Sequence, residues 1–273
     1  MDRNDFPTIV GIINVTPDSF SDGGQYRDTQ HACEHAVRLV AEGAGMLDVG
    51  GESSRPGADP VPADEEIQRV VPVIHAIRQA GVEVPISIDT VKATVAQAAL
   101  DAGATIVNDI SAGMHDPDMF PLVAQRQVPI VVMHMRGTPR TMQLDPRYDN
   151  VVEDVYAFLS ERIEVATGFG IEHIIADVGI GFGKTLEHNL ALLANLRRFA
   201  SLGVPLMLGI SRKRFLGVLT GIETPSERDS VTALMHALLL SEPITYARVH
   251  NVRLLAQLRS LWTSLKDYTR IVQ

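Results

Sequence analysis

Eight short apolar runs recur along the chain, and each stops at a polar residue capable of chemistry. In order, the stops are Asn14, Asp48, Asp89, Asn108–Asp109, His134, Asp177, Ser211-Arg212-Lys213 and Arg248–His250. Segments with helical periodicity separate the runs. Strand, loop and helix repeated eight times is the pattern of an α/β fold, the (β/α)8 TIM barrel, whose active sites lie where the strands end. Strand bodies in such a barrel are apolar for packing, but packing gives no reason to place carboxylates, amides and cations at the strand exits. Those positions are the first candidates for function.

The expected strands are residues 8–15, 46–49, 84–88, 105–107, 128–133, 173–176, 205–210 and 244–249. Helices are expected near 29–42, 64–77, 150–167 and 186–199, from Ser226 onward, and over 252–265. No linker, low-complexity tract or charge block interrupts the 273 residues, so residues 1–273 read as one domain, a usual length for this fold. Loops after the first, second and fifth strands run to about ten residues or more, against a usual two to six. Long loops on the face that carries the polar residues are expected to act as lids over a substrate.

With 24 Lys+Arg against 33 Asp+Glu, the formal charge is −9, which disfavours nucleic-acid partners that need a basic field. Within this acidic chain, Ser211-Arg212-Lys213-Arg214 is a basic cluster at a strand end and points to a small anionic ligand. No apolar segment approaches membrane-spanning length, and the first residues carry charges of both signs with no apolar signal core. The lone Cys33 excludes an intrachain disulfide framework and reads as an ordinary helix residue. A cytoplasmic location without membrane partners is the expectation.

The segment from Asn14 to Gly24 packs an amide, two carboxylates and three hydroxyls into eleven residues, an oxygen-rich set that suits Mg²⁺. Its prolines and glycines are also ordinary turn formers. Phe20 is the apolar exception in that loop and is a candidate cap for a planar ligand. In the second loop Ser54 offers a hydroxyl and Arg55 a guanidinium suited to phosphate or carboxylate, although a surface arginine beside a turn has the same appearance. Asp89, Asn108–Asp109 and Asp177 come from three separate strand ends, and their donors and acceptors match a planar nitrogen heterocycle. Residues 179–185, GIGFGKT, fail both common nucleotide motifs: Val178 stands where a phosphate loop needs glycine, and Lys184 where a dinucleotide fold does. A tight turn that brings backbone and Phe182 against a ligand is the better reading. His134 and His250 have no second ligand at zinc spacing, and His31, His35, His75, His173, His188 and His236 read as structural.

These segments resemble the dihydropteroate synthases, the pterin-binding enzymes of folate biosynthesis that sulfonamides target. The matching stretches are GIINVTPDSFSDGG (11–24), LDVGGESSRPGA (47–58), ISIDT (86–90), IVNDISA (106–112), VMHMRGTPRTMQ (132–143), DVGIGFGK (177–184), GISRKRF (209–215) and RVHNV (248–252). The resemblance implies a transferase that condenses 6-hydroxymethyl-7,8-dihydropterin diphosphate with p-aminobenzoate, giving 7,8-dihydropteroate and diphosphate. It places the pterin on Asp89, Asn108, Asp177 and Lys213, with Met133, Gly181 and Phe182 lining the pocket. Asn14 would bind Mg²⁺, and Asn14, Arg248 and His250 the diphosphate. Phe20, Asp22, Ser54, Arg55 and Pro56 would close the p-aminobenzoate site, with Ser211 near the carboxylate. It also implies a homodimer through helices in the regions 186–196, 231–240 and 254–265.

Ser54, Val178, Arg214 and Asn251 depart from the family pattern. Valine for proline at 178 is expected to loosen the turn that aims Asp177. Two alternatives share the pterin carboxylates. A methyltransferase using methyltetrahydrofolate would not need the first-loop and Ser-Arg-Lys apparatus, and a non-catalytic pterin-binding paralogue would not need Asn14, Arg55, Lys213, Arg248 and His250 together.

Overall fold

In the computed structural model, which describes residues 5–16, 25–55 and 57–272, eight parallel strands close on themselves in sequence order. They are β1 (Thr8–Asn14), β2 (Met46–Gly50), β3 (Ile86–Asp89), β4 (Ile106–Asp109), β5 (Ile130–Met133), β6 (Ile174–Asp177), β7 (Leu206–Leu208) and β8 (Tyr246–Val249). The outer helices are α1 (Gln25–Ala41), α2 (Ala63–Gln79), α3 (Ala93–Asp101), α4 (Met119–Arg126), α5 (Val151–Gly168), α6 (Leu186–Ala194), α7 (Leu196–Phe199), α8 (Arg214–Thr220), α9 (Asp229–Leu238) and α10 (Val252–Val272). This is the TIM barrel expected from the repeat.

Local chemistry explains the helices that flank the site. Asp64, Glu65 and Glu66 complement the positive end of α2, whose buried residues Val70, Val73, Ile74 and Ile77 turn one stripe to the strands. Asn150 caps α5 by accepting from the amides of Val152 and Glu153. Thr185 and His188 form a reciprocal cap that starts α6 directly after the β6 loop.

Side-chain parity then assigns the two faces of each strand. Val10, Met46, Ile106, Val131, Ile175 and Met207 pack against one another inside the barrel, with Tyr246 alongside. Their neighbours Ile9, Leu47, Val107, Val132, Ile174, Leu208 and Ala247 belong to the outer core beneath the helices. Two residues beyond each inward residue the side chain is inward again, one layer nearer the carboxyl ends. The apolar floor therefore continues upward into Asp48, Asn108, Met133, Asp177 and Arg248.

Several boundaries differ from expectation, with consequences for the site. Asp89, Asn108, Asp177 and Arg248 do not follow their strands; they lie within them, as ladder residues. The ladder uses only backbone groups, so a polar side chain does not end a strand. The single helix expected over 186–199 is α6 and α7, separated at Asn195. α3, α4 and α8 are not among the expected helices; α8 follows Lys213, and a 3₁₀ turn (Pro225–Arg228) precedes α9. Phe20, Asp22 and Pro56 lie outside the described residues.

Candidate active site

The ladder sets Asn14 beside Gly50, Gly50 beside Asp89 and Asp89 beside Asn108, so four strands deliver these residues to one level. On the opposite wall Met133 pairs with Asp177. A polar layer thus rests on the apolar floor, and every buried group in it needs a protein partner.

Asp48 is the hub of this layer. It is 1% exposed, and its Oδ2 accepts from Arg248 Nε at 2.6 Å. Asn108 Nδ2 stands 3.3 Å from both carboxylate oxygens, and Ser87 Oγ donates to Oδ1. Arg248 also donates from Nη2 to Asp89 Oδ2 at 2.8 Å, so one guanidinium joins two carboxylates. Burial lowers the Arg248 pKa, but the charges of Asp48, Asp89 and Asp177 outweigh that and hold it above its usual value. Desolvation, then the Asp48 charge, push Asp89 up to about 7 against the pull of Arg248. Burial also raises Asp177, opposed by the Lys213 charge and the Gly179 amide.

Lys213 approaches from the start of α8. Its ammonium lies 4.4 Å from the centre of the Phe182 ring and donates to the carbonyl of Ile180. Desolvation brings its pKa down to about 8, with the Asp177 charge acting in the other direction. Gly181 has φ +83°, and a Cβ there would stand 3.0 Å from Lys213 Cδ, so only glycine lets lysine and loop meet.

Beside this chamber, Ser211 Oγ accepts from the His250 amide at 3.1 Å and lies 3.0 Å from His250 Nδ1. Burial and the nearby Arg212 and Arg248 charges lower His250 to about 3, so its imidazole is neutral near pH 7. Asn14 and His250 line a cleft of about 500 Å³ together with Arg212 and the α1 residues His31, Glu34, His35 and Arg38. His31 and His35, read from sequence as structural, therefore face this cleft. The described residues hold no cluster of three His, Cys, Asp or Glu side chains arranged for a metal. Asn14 alone fits a hard cation that keeps its waters and arrives with a phosphate, not one resident in a protein cage.

The remaining expectations divide. Ser54 is half-buried and Arg55 exposed on the second loop; Arg55 contributes to the field that depresses His250. That loop is rooted at Glu52, which accepts from the Val61 amide and from Lys92. The basic cluster at 211–214 is not one anion site. Arg212, at φ +60°, turns away into a two-bond pair with Asp229, and Arg214 is exposed, leaving Lys213 for the chamber. Asp109, one residue out of phase with Asn108, accepts from Ser111 and Gly113 and builds its own loop. Val178 is fully buried, and the turn after it is tied by a 2.7 Å bond from the Gly179 amide to Asp177 Oδ1. Asn251 donates to Asp229 and accepts from the Leu254 amide.

Two residues of the site are not marked as such by the sequence. Asp48 is a strand stop whose parity with Met46 is the signal that places it inside. Lys184 lies in a loop of no known nucleotide motif, and nothing in its spacing shows that it is buried.

Residues 10–250 match the family model described as "Pterin binding enzyme". Dihydropteroate synthase of Streptococcus pyogenes serotype M6 is 46% identical over 90% of this chain and 90% of its own length. The structure of Xanthomonas albilineans dihydropteroate synthase with 4-aminobenzoic acid superposes with a TM-score of 0.89 at 44% identity, covering 96% of this chain and 94% of that one. The same organism's enzyme in complex with 7,8-dihydropteroate gives 0.85 at 40% identity, with coverage of 96% and 94%. Sequence and barrel agree across nearly the whole length: the chain belongs to the pterin-binding enzymes and, within them, to the dihydropteroate synthase family.

Proposed function

We infer that this chain condenses 6-hydroxymethyl-7,8-dihydropterin diphosphate with p-aminobenzoate, giving 7,8-dihydropteroate and diphosphate. The observation that carries the reading is the paired layer at the barrel mouth. Asp89, Asn108 and Asp177 offer hydrogen-bonding groups at the strand ends, Met133 and Phe182 offer apolar surface, and Lys213 supplies a cation against the Phe182 ring. A planar amino-pyrimidine needs this combination: donors and acceptors in its plane and apolar surfaces against its faces.

Asp177 Oδ1 is used by the Gly179 amide, and Oδ2 has no hydrogen-bond partner among the described residues, so it can accept from the pterin edge. Asp89 keeps one oxygen outside its bond to Arg248. Arg248 retains donors beyond the two spent on Asp48 and Asp89, and with neutral His250 it would hold the diphosphate. The Asn14 amide oxygen would hold Mg²⁺, which when bound neutralises charge on the departing diphosphate. The methylene C–O bond breaks with its electron pair leaving on diphosphate, the aniline nitrogen forms the new C–N bond, and its surplus proton passes to solvent. An aniline is unprotonated near pH 7, so no strong base is needed; positioning and stabilisation of the leaving group supply the rate. Phe20, Asp22, Ser54, Arg55, Pro56 and Ser211 are assigned to the p-aminobenzoate side.

A homodimer belongs to the same proposal. Leu234 and Leu238 of α9 and Leu261 and Leu265 of α10 are 64%, 77%, 67% and 72% exposed, an apolar surface on adjacent helices that a second copy would cover.

The test is chromatographic detection of 7,8-dihydropteroate with both substrates and Mg²⁺. Product that requires all three is expected. Pterin binding without product would favour a non-catalytic paralogue, and methyl transfer from methyltetrahydrofolate would favour the other enzyme class. A cytoplasmic location is part of the same proposal; among the described residues, no helix is long and apolar enough to cross a membrane.

A further inference from the structure

We propose that Lys184 is a positioning residue of the pterin pocket, fixing Asp177 and Phe182 from beneath the β6 loop; this rests on the pterin reading above. The lysine is 3% exposed and makes no ion pair with a carboxylate among the described residues. Its ammonium lies 2.9 Å from the carbonyl of Gly179, 3.0 Å from that of Phe182, 3.2 Å from that of His134 and 2.9 Å from His134 Nδ1. Burial, then the Lys213 charge, lower its pKa well below the usual lysine value, and its N–H groups are spent on the three carbonyls and the contact with the imidazole. The Nζ is held by three loop carbonyls and the His134 ring, as a tack driven through the turn from inside.

Each of those carbonyls belongs to a residue tied to the chamber. The Gly179 amide donates to Asp177 Oδ1 at 2.7 Å, so the residue Lys184 grips by its carbonyl aims the carboxylate by its amide. Phe182, gripped by its own carbonyl, carries the ring beneath Lys213. His134 begins the β5 loop, whose Gln143 donates to the Gly181 carbonyl at 2.6 Å, so the tack also joins the β5 and β6 loops. Asn189 holds the outer side of the turn, accepting from the Gly181 amide at 2.7 Å and donating to the Thr185 carbonyl at 2.7 Å. Space between the loops is spent: a Cβ on Gly179 would lie 1.9 Å from the His134 carbonyl oxygen, and one on Gly183 2.6 Å from that of Arg136. Glycines allow the loops to touch, and the lysine satisfies the carbonyls that contact would strand.

Among the described residues assigned to the p-aminobenzoate side, Ser54, Arg55 and Ser211 make no hydrogen bond to this tack, so its loss should act on one substrate. Lys184→Met keeps length and apolar volume but removes every donor. We expect the KM for the pterin diphosphate to rise about 10-fold or more, the worth of one or two unsatisfied buried carbonyls, while the KM for p-aminobenzoate stays within about 2-fold. Asn189→Leu, which frees the other side of the turn, should show the same split at about 3-fold or more. A purely structural role would lower the melting temperature and the active fraction but leave both KM values in place, and that result overturns the proposal. Failure of both variants to fold would also count against it, because the contacts would then serve the barrel and not the pocket. If wild type shows no saturable dependence on the pterin diphosphate, the functional reading falls and takes this one with it. Unchanged variants beside a saturable wild type would sink this inference alone.

Discussion

Asp89 and Lys213 face the same chamber with pKa values displaced toward each other, about 7 and about 8. Because kcat/KM reports ionisations of the free enzyme, its profile for the pterin diphosphate should be a narrow bell. Activity falls below pH 7 as Asp89 takes up a proton and above pH 8 as Lys213 loses one. Lys213→Met should remove the alkaline limb. Asp48→Asn should move the acid limb downward, because the Asp48 charge helps raise Asp89; an unmoved limb would separate the two carboxylates. The stability signs follow. The raised Asp89 stabilises the fold at low pH, and that contribution is lost as pH rises through about 7. The lowered Lys213 stabilises it at high pH, and that contribution is lost as pH falls through about 8. Near neutrality the ligand-free chamber is therefore carrying charges that a substrate can relieve.

Loops and strand ends set what could be read without coordinates. Parity along a strand is a sequence property, so Asn108 inward and Asp109 outward follow once Ile106 is known to face the barrel axis. The direction of Ile106, however, depends on closure of the whole sheet. Arg212, Lys213 and Arg214 look alike in sequence, and only the left-handed backbone at Arg212 sends the middle of Ser-Arg-Lys to Asp229. α8 leaves little periodicity in the sequence because Arg214–Thr220 is short and ends at Gly221, where φ is +74°. The glycines of the β6 turn read as a tight turn that carries backbone and Phe182 to a ligand; the neighbour the structure gives them is the β5 loop, which is distant in sequence. Gly179→Ala tests this element: left-handed backbone and the clash with His134 should together cost about 2 kcal/mol or more, read as a melting temperature several degrees lower. A variant as stable as wild type would show that the two loops are not packed as described.

At the scale of the molecule, an apolar floor, a polar layer and a rim of loops are stacked along one barrel axis, and the exposed leucines of α9 and α10 lie on the outer wall. Arg228 and Asp229, at the head of α9, hold Arg212 through its carbonyl and its guanidinium, so the outer wall and the Lys213 segment share one support. Light scattering of wild type should give twice the 29.7 kDa chain mass, and Leu234→Glu with Leu238→Glu should return it to one; a monomeric wild type would leave that surface without its proposed partner. The most direct measurement is a crystal structure of the enzyme with 6-hydroxymethyl-7,8-dihydropterin diphosphate and Mg²⁺. The pterin ring should lie between Met133 and Phe182 with its polar edge on Asp177 and Asn108, and the diphosphate should reach Asn14, Arg248 and His250. A ring bound outside the barrel mouth, or in the cleft beside α1, would contradict the site assigned to these strand ends.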